Sequence, residues 1–392
     1  MMVADHNRSG MPPIKVLHVF KTYFPDTYGG IEQVIKTLAE NASQHGVQCT
    51  VLVLSPNFES DQIMPEGYRL IRCSQDLYVA STGLSRAFVR HFKALAAQSD
   101  IVHVHFPWPM ADIAALVTRV RTPMVMTYHS DIVNQPWLEP FYAPLRHWFI
   151  SRQSAIVATS PKYAASSSVL RRYRDRLHVI PIGIARPKVL PAASAVGNWQ
   201  RHLGPKYFAF VGVPRYYKGL AFLLKALKRR DYPMVIGGGG GDQAQLAEQA
   251  NALGLRQTLF AGVLEEDDKN ALIAGAHALV LPSHKRSEAF GIVLAEASAL
   301  GVPMLTCEIG TGTSFVNQHD LTGLVIPPRD VEALADALDR MWDDDSAIAR
   351  WGQAARDRYS QEFSESTMTE RYTSLYRDVL GRPAMGTRAS SI

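Results

Sequence analysis

Two carboxylates, Glu288 and Glu296, lie eight residues apart in the segment Pro282-Ser-His-Lys-Arg-Ser-Glu288-Ala-Phe290-Gly291-Ile292-Val-Leu-Ala-Glu296. The apolar run 278–281 ahead of them predicts a strand. Glu288 then falls in the loop at the strand's end, Phe290-Gly291 open a helix, and Glu296 falls on its second turn. Free N–H groups around Gly291 and Ile292, at the positive end of the helix dipole, suit a phosphate. Carboxylates at two points along one ligand suit sugar hydroxyls. Glu296 stands among apolar residues, where a lone buried carboxylate is costly. At about 100° per residue, the periodicity leaves open whether it faces solvent or a neighbour. A second group, Val211-Gly212-Val-Pro-Arg215-Tyr-Tyr-Lys218-Gly219, follows the apolar run 207–211. Gly212 permits a close turn. Arg215 and Lys218 can point the same way, and a guanidinium fork with an ammonium holds a diphosphate. The competing reading is two solvated cations in a loop.

Other strand ends offer weaker signals. Gly29-Gly30, after the run 14–20, opens a helix and either admits an anion to the backbone or simply turns the chain. His105 and His129 close two neighbouring apolar runs, and neither has a Cys, Glu or third His at helical spacing, which argues against zinc. The run Gly237–Gly241 satisfies the glycine spacing of a dinucleotide-binding loop. The acidic partner expected about 20 residues on is not clearly placed, because Glu265 lies beyond the next strand. A dinucleotide-dependent oxidoreductase is therefore the weaker alternative. Gly310 and Gly312, with Thr311, Thr313 and Ser314, add glycines and hydroxyls after the run 303–306.

The elements that must position these residues alternate. Short apolar runs at 14–20, 49–54, 68–72, 101–105, 123–128, 154–158 and 177–181 predict one series of strands. Runs at 207–211, 233–237, 257–260, 278–281, 303–306 and 323–326 predict a second. Helical patterns separate them, among them 30–45, 83–98, 161–173, 242–253, 289–300 and 330–342. Alternating strands and helices predict an α/β protein with two doubly wound parallel sheets. The stretch 183–206, rich in Pro, Gly, Ala and Ser, has no sustained period. The expected division is a disordered 1–13, a first domain 14–185, a linker 186–205, a second domain 206–360, a helix 361–380 crossing back, and a disordered tail 381–392. Two such sheets invite a ligand in a crevice at their carboxyl ends.

The 392 residues are 47% hydrophobic and 20% charged, which excludes general disorder and collagenous repeats. No uncharged run of about 18 apolar residues exists, so no transmembrane helix is expected. The N-terminus lacks the apolar region of a secretory signal. Cys49, Cys73 and Cys307 lie far apart in apolar runs, as buried thiols of a reducing cytosol would. The net charge of +5 is uneven. Residues 1–195 carry 20 Lys/Arg against 13 Asp/Glu, and the remainder carries 21 against 23. Within the basic half, 83–98 spaces Leu84, Phe88, Phe92 and Leu95 helically, with Arg86, Arg90 and Lys93 on another strip, and Arg171, Arg172, Arg174 and Arg176 cluster. Such a helix either lies on an anionic bilayer or covers a sheet.

On these motifs, nearly the whole chain, about 14–380, resembles the family-4 retaining glycosyltransferases of the GT-B type. Glu288-Ala-Phe-Gly-Ile-Val-Leu-Ala-Glu296 resembles their E-x₇-E motif. Gly29-Gly30-Ile-Glu resembles their loop at the donor phosphates, His129 in Thr-Tyr-His-Ser-Asp their active-site histidine, and Arg215 with Lys218 their diphosphate-binding pair. Val213 stands where the family usually has arginine, and Arg215 follows two residues later. The form Val-Gly-Val-Pro-Arg-Tyr-Tyr-Lys-Gly is similar to a subgroup of bacterial O-chain mannosyl- and rhamnosyltransferases.

The resemblance implies two Rossmann-like domains facing across a cleft, with the acceptor on the first and the donor on the second. It implies ribose binding by Glu296, sugar binding by Glu288 and His129, and diphosphate binding by Arg215 and Lys218. Gly29, Gly30, Gly212, Phe290, Gly291 and Ile292 would complete the donor site. The implied donor is GDP-mannose or GDP-rhamnose, with no other cofactor and no metal, since no D-x-D motif stands in a suitable loop (Asp343-Asp344-Asp345 follows a helix). The implied acceptor is a polyprenyl-diphosphate-linked glycan at the inner face of the cytoplasmic membrane, with an anionic membrane surface and no nucleic acid as partners. The alternatives are another sugar-nucleotide enzyme such as an epimerase, a phosphorylase, whose pyridoxal-phosphate lysine is not recognisable here, and a non-catalytic sugar-nucleotide binder.

Overall fold

The structure, a computed structural model, describes residues 12–79, 82–131, 139–187 and 190–381. The expectation of disorder for 1–13 and 381–392 falls almost wholly outside these residues. Two compact units emerge. The first comprises the chain up to Thr159, Ser167–Gly183 and the residues from Glu365 on, and the second comprises Ser160–Ser166 and Ile184–Ser364.

In the first unit, the strands in sheet order are Leu177–Val179, Ala155–Ala158, Met124–Tyr128, Ile101–Phe106, Ile14–Val19, Val47–Ser55, Arg69–Ser74 and Ser60–Ile63. All neighbours are parallel except the last pair. The central strands are buried along their length because helices cover both faces, which explains their unbroken apolar runs. The antiparallel edge strand Ser60–Ile63 escaped the sequence reading, because it is largely exposed and carries no apolar run.

The second unit holds six parallel strands in the order Thr258–Gly262, Met234–Gly237, Phe208–Val211, Ala278–Leu281, Met304–Cys307 and Gly323–Ile326. The strand order reverses between Phe208–Val211 and Ala278–Leu281. In open α/β sheets ligands bind beyond the carboxyl ends at such a reversal. The loops 212–219 and 282–291 leave the sheet at this point.

Two stretches differ from expectation. The stretch 186–205 contains a helix, Ala193–Leu203, that belongs to the second unit. It buries no residue fully, so its sequence shows no sustained apolar period. The helix expected over 161–173 breaks into Pro161–Ser166 and a 3-10 segment Leu170–Arg176, and the first piece lies in the second unit. The Ser167 hydroxyl accepts from the Leu170 N–H at 3.4 Å, a local bond that competes with helix continuation. The C-terminal helix Glu365–Val379 belongs to the first unit, where Tyr376 bonds His103 and Arg377 donates to the His45 carbonyl.

The helix Arg86–Gln98 is capped by Ser85, whose hydroxyl accepts from the Phe88 N–H at 3.0 Å. Its apolar strip of Phe88, Phe92 and Leu95 is buried, with Phe88 packed edge-on to Trp108. Of the two readings of its pattern, the apolar face serves the core, and Arg86, Arg90 and Lys93 stay exposed. The three cysteines are free and buried. Among the described residues no helix is long and apolar enough to cross a membrane.

Candidate active site

The strand Phe208–Val211 ends in a loop that a cluster of left-handed glycines shapes. Gly212 has φ +139°, and Lys218 Nζ approaches it closely. A short 3-10 turn, Tyr216–Lys218, ends at Gly219, φ +78°, which also begins the helix Leu220–Leu227. A side chain on Gly219 would overlap the carbonyl oxygen of Pro282. The two loops at the sheet reversal therefore meet backbone to backbone at Gly219, and Lys218 is carried toward the second of them.

Lys218 Nζ donates to Glu288 Oε2 at 2.8 Å. The Ser283 hydroxyl donates to the same oxygen at 3.4 Å. Both side chains are largely enclosed, 13% and 11% exposed. Burial opposes the charge on Lys218. The adjacent Glu288 carboxylate and its hydrogen bond outweigh burial, so the ammonium is held above the ordinary lysine range. The site thus keeps a fixed cation beside a fixed anion. Glu288 Oε1 accepts from no described residue. Arg215 is exposed on the same loop.

Around Glu288 the backbone is braced. Thr311 Oγ1 donates to the Glu288 carbonyl and the Gly312 N–H donates to the Ala289 carbonyl, both at 2.8 Å. Gly291 adopts φ +79° and starts the helix Ile292–Leu300. Its left-handed backbone sharply turns the chain after the buried Phe290 and points the first helical N–H groups, from Ile292 on, out of the helix end. Glu296 is half-buried against the helix Glu266–Gly275. Its Oε1 accepts from Lys269 Nζ at 2.9 Å, and Lys269 also bonds Glu266 at 2.9 Å. The open question of which way Glu296 faces is thereby answered: it faces a neighbouring helix and has a cation partner. Its Oε2 accepts from no described residue.

The glycine run 237–241 has a structural role. A Cβ on Gly238 would overlap the Gly212 carbonyl, and one on Gly241 would overlap that of Pro214. The run lets the loop after Met234–Gly237 lie directly on the loop after Phe208–Val211. That packing accounts for Gly238 and Gly241.

In the first unit, His129 follows strand Met124–Tyr128 and is buried, its Nε2 lying 3.1 Å from His105 Nδ1. Burial lowers the His129 pKa to about 3, so the ring is neutral. Gly29 and Gly30 cap the helix Gly30–Asn41, and the Glu32 carboxylate folds back against Gly29. Glu32 Oε1 accepts from Thr22 Oγ1 at 2.8 Å and from Thr27 Oγ1 at 2.6 Å. A carboxylate of the chain itself therefore lies at that helix terminus.

Lys218, Glu288, Ser283, Thr311 and the Gly291 helix start thus converge within the second unit, with Glu296 on the following turns. Gly29, Gly30 and His129 lie in the first unit. Lys269 and Ser283 were missed from sequence. In the chain Lys269 stands three residues after Glu266, an ordinary helical spacing, and its pairing with Glu296 is a tertiary contact.

Two doubly wound α/β units in one chain are the architecture of the GT-B fold. Residues 28–186 match the family Glycosyltransferase Family 4, and residues 197–358 match Glycosyl transferases group 1. The chain is 41% identical to O-antigen chain mannosyltransferase C of Escherichia coli over 94% of this chain and 99% of that one. It is 45% identical to D-rhamnosyltransferase WbpZ of Pseudomonas aeruginosa over 90% and 92%. Among solved structures, sucrose-phosphate synthase from Thermosynechococcus elongatus matches with a TM-score of 0.78 at 20% identity, covering 94% of this chain and 99% of that one, a likeness of fold. The chain belongs to glycosyltransferase family 4.

Proposed function

We propose that this protein is a retaining hexosyltransferase that moves mannose or rhamnose from a GDP-linked sugar to a polyprenyl-diphosphate-linked glycan in O-antigen synthesis. The observation that carries the reading is the Lys218–Glu288 pair at the sheet reversal, read beside relatives named for mannosyl and rhamnosyl transfer. The donor diphosphate lies at Lys218 and Arg215 and at the Gly291–Ile292 helix start. Ribose hydroxyls donate to the open Oε2 of Glu296, sugar hydroxyls donate to Oε1 of Glu288, and His129 contacts the sugar.

Departure of the nucleoside diphosphate builds negative charge on its terminal oxygens, and preorganised cations there lower the barrier without a metal. Retention follows a same-face route. The C1–O bond to phosphate breaks, the acceptor oxygen bonds C1 from the same side, and its proton passes to the departing phosphate oxygen. Trapping a covalent sugar–enzyme adduct would overturn this route.

Radiolabelled GDP-mannose and GDP-rhamnose should yield product, and Glu288→Ala should abolish it without loss of fold. Product would exclude a non-catalytic binder. Bound nucleotide stabilises the folded state by RT ln(1 + [L]/Kd). In a panel of GDP, UDP, ADP and TDP, GDP is expected to raise Tm most, and an equal or larger rise with UDP would reject the guanine assignment.

The membrane reading rests on charge and on exposed apolar side chains. The hairpin strand Leu77–Val79 exposes Leu77, Tyr78 and Val79, and the basic strip of Arg86, Arg90 and Lys93 follows it in the chain. We place the protein in the cytoplasm, on the inner face of the membrane. In liposome flotation with anionic lipid, the Arg86/Arg90/Lys93→Glu variant should stay unbound while wild type floats. Equal flotation rejects this helix as the contact.

A further inference from the structure

Four histidines lie together at the reversal of the first sheet. His18 is on strand Ile14–Val19, His103 and His105 are two residues apart on the adjacent strand Ile101–Phe106, and His129 follows Met124–Tyr128. None is more than 5% exposed. Three of them form a chain. His129 Nε2 lies 3.1 Å from His105 Nδ1, and His105 Nε2 lies 3.1 Å from His18 Nδ1. The His105 ring meets both neighbours edge to edge and close to their planes, at 20° to His129 and 27° to His18. His103 stacks on His105, with ring centres 4.4 Å apart, but takes no part in the chain of hydrogen bonds: its two nitrogens lie 2.6 Å from the Tyr376 hydroxyl and 2.7 Å from that of Thr127. Although nitrogens of His18, His103 and His105 come within 4.8 Å of one another, both nitrogens of His103 and both of His105 already have partners, so hydrogen bonding rather than metal binding describes the group.

A neutral imidazole donates once and accepts once. Burial lowers all four pKa values far below the ordinary range, so these rings are neutral. The two bonds of the chain must then run in the same direction. In one direction His129 donates from Nε2, His105 donates to His18, and His18 carries its proton on the far nitrogen, Nε2. In the other, every proton is reversed and His129 presents an N–H at Nδ1.

The far end has room to satisfy the first direction. His18 Nε2 is buried and has no partner among the described residues. His18 borders a cavity of about 10 Å³ to a water-sized probe, lined also by Cys49, Thr369, Tyr372, Thr373 and Tyr376. That is space for about one water. The Thr369 hydroxyl already donates to the Glu365 carbonyl at 2.8 Å, so toward the cavity it offers an acceptor. One water there, donating to Thr369 and accepting from His18 Nε2, completes the first direction.

We propose that His105 and His18 are positioning residues that hold His129 as its Nε2–H tautomer and leave the Nδ1 lone pair for a sugar hydroxyl. The proposal rests on the transferase reading above for its purpose, but not for its geometry. A neutral acceptor suits a sugar whose anomeric carbon becomes positive as the diphosphate leaves, because an imidazolium there would oppose that charge.

The test is ¹⁵N NMR of histidine-labelled full-length protein, with kinetics. Wild-type His129 should show a protonated Nε2 and a bare Nδ1 as one tautomer. His105→Phe should mix the tautomers and lower kcat about tenfold, as expected for one lost hydrogen bond, with an unchanged donor KM. His105→Asn, whose amide lies near the lost Nδ1, should restore most of both signals. His18→Phe should mix the tautomers without touching His129. A wild-type His129 protonated at Nδ1, or an unchanged single tautomer in His105→Phe, would overturn the proposal. Absence of turnover with every donor, alongside the wild-type tautomer signature, would instead count against the transferase reading alone.

Discussion

Lys218→Ala should lower kcat for sugar transfer about 10²–10³-fold, the usual effect of removing one preorganised donor from developing negative charge. Three features fix the Lys218 ammonium. It is enclosed, it is 2.8 Å from Glu288, and it lies 6.0 Å and 5.7 Å from the ring centres of Phe210 and Tyr217. Its position is therefore settled before the donor arrives, and little reorganisation remains for the transition state. Removing it also leaves Glu288 enclosed without its cation, which destabilises a buried pair by roughly 3–5 kcal/mol. Two readouts follow. The Tm of the free protein should fall, and the Tm rise produced by nucleotide should flatten. Lys218→Arg keeps the charge but not the compact ammonium, so its rate should fall between the two. A fully active Lys218→Ala enzyme would remove Lys218 from the site.

The second large effect is expected from Gly219→Ala. The residue has φ +78°, where a side chain costs about 1–2 kcal/mol, and a Cβ would overlap the Pro282 carbonyl oxygen. A backbone atom in a sheet-end loop yields little, so the combined loss should be roughly 2–4 kcal/mol, or about 5–10 °C in Tm. Gly254 separates the two causes. It has φ +76° with nothing within 4 Å of a Cβ, so Gly254→Ala should show the backbone strain alone. The activity readout differs as well. Gly219→Ala moves the residue after Lys218 and should lower kcat, whereas Gly254→Ala should leave it unchanged. Equal Tm losses in the two variants would show that the contact with Pro282 is not what requires glycine.

The central strands were readable from sequence because both sheets are covered on two faces, so apolar residues dominate them. The edge strand Ser60–Ile63 and the helix Ala193–Leu203 were not, because neither buries a continuous face. In the site, Glu288, Glu296 and Lys218 could be named from spacing, since each stands at a strand end or on a helix start. Their partners could not. Lys218 lies 70 residues from Glu288, and Lys269 lies 27 from Glu296. His105 and His129 were visible as strand-end residues. Their connection to His18 needed the pairing of strands 14–19 and 101–106, which sequence periodicity does not specify. The glycine run 237–241 was ambiguous in sequence, because close backbone packing and nucleotide binding call for the same residue.

The discontinuity of the two units bears on how such a chain can change over generations. Ser160–Ser166 belongs to the second unit, where Lys162 pairs with Glu308 and Ser166 donates to the Gly310 carbonyl. Glu365–Val379 belongs to the first, where Tyr372 and Tyr376 bond Thr127 and His103. A single genetic crossover between 184 and 205 would therefore part each unit from a piece of itself. A working hybrid needs four junctions, near 159, 166, 183 and 364. Such coordinated exchange needs far more events than a point substitution, so this chain is expected to change residue by residue rather than by shuffling whole units.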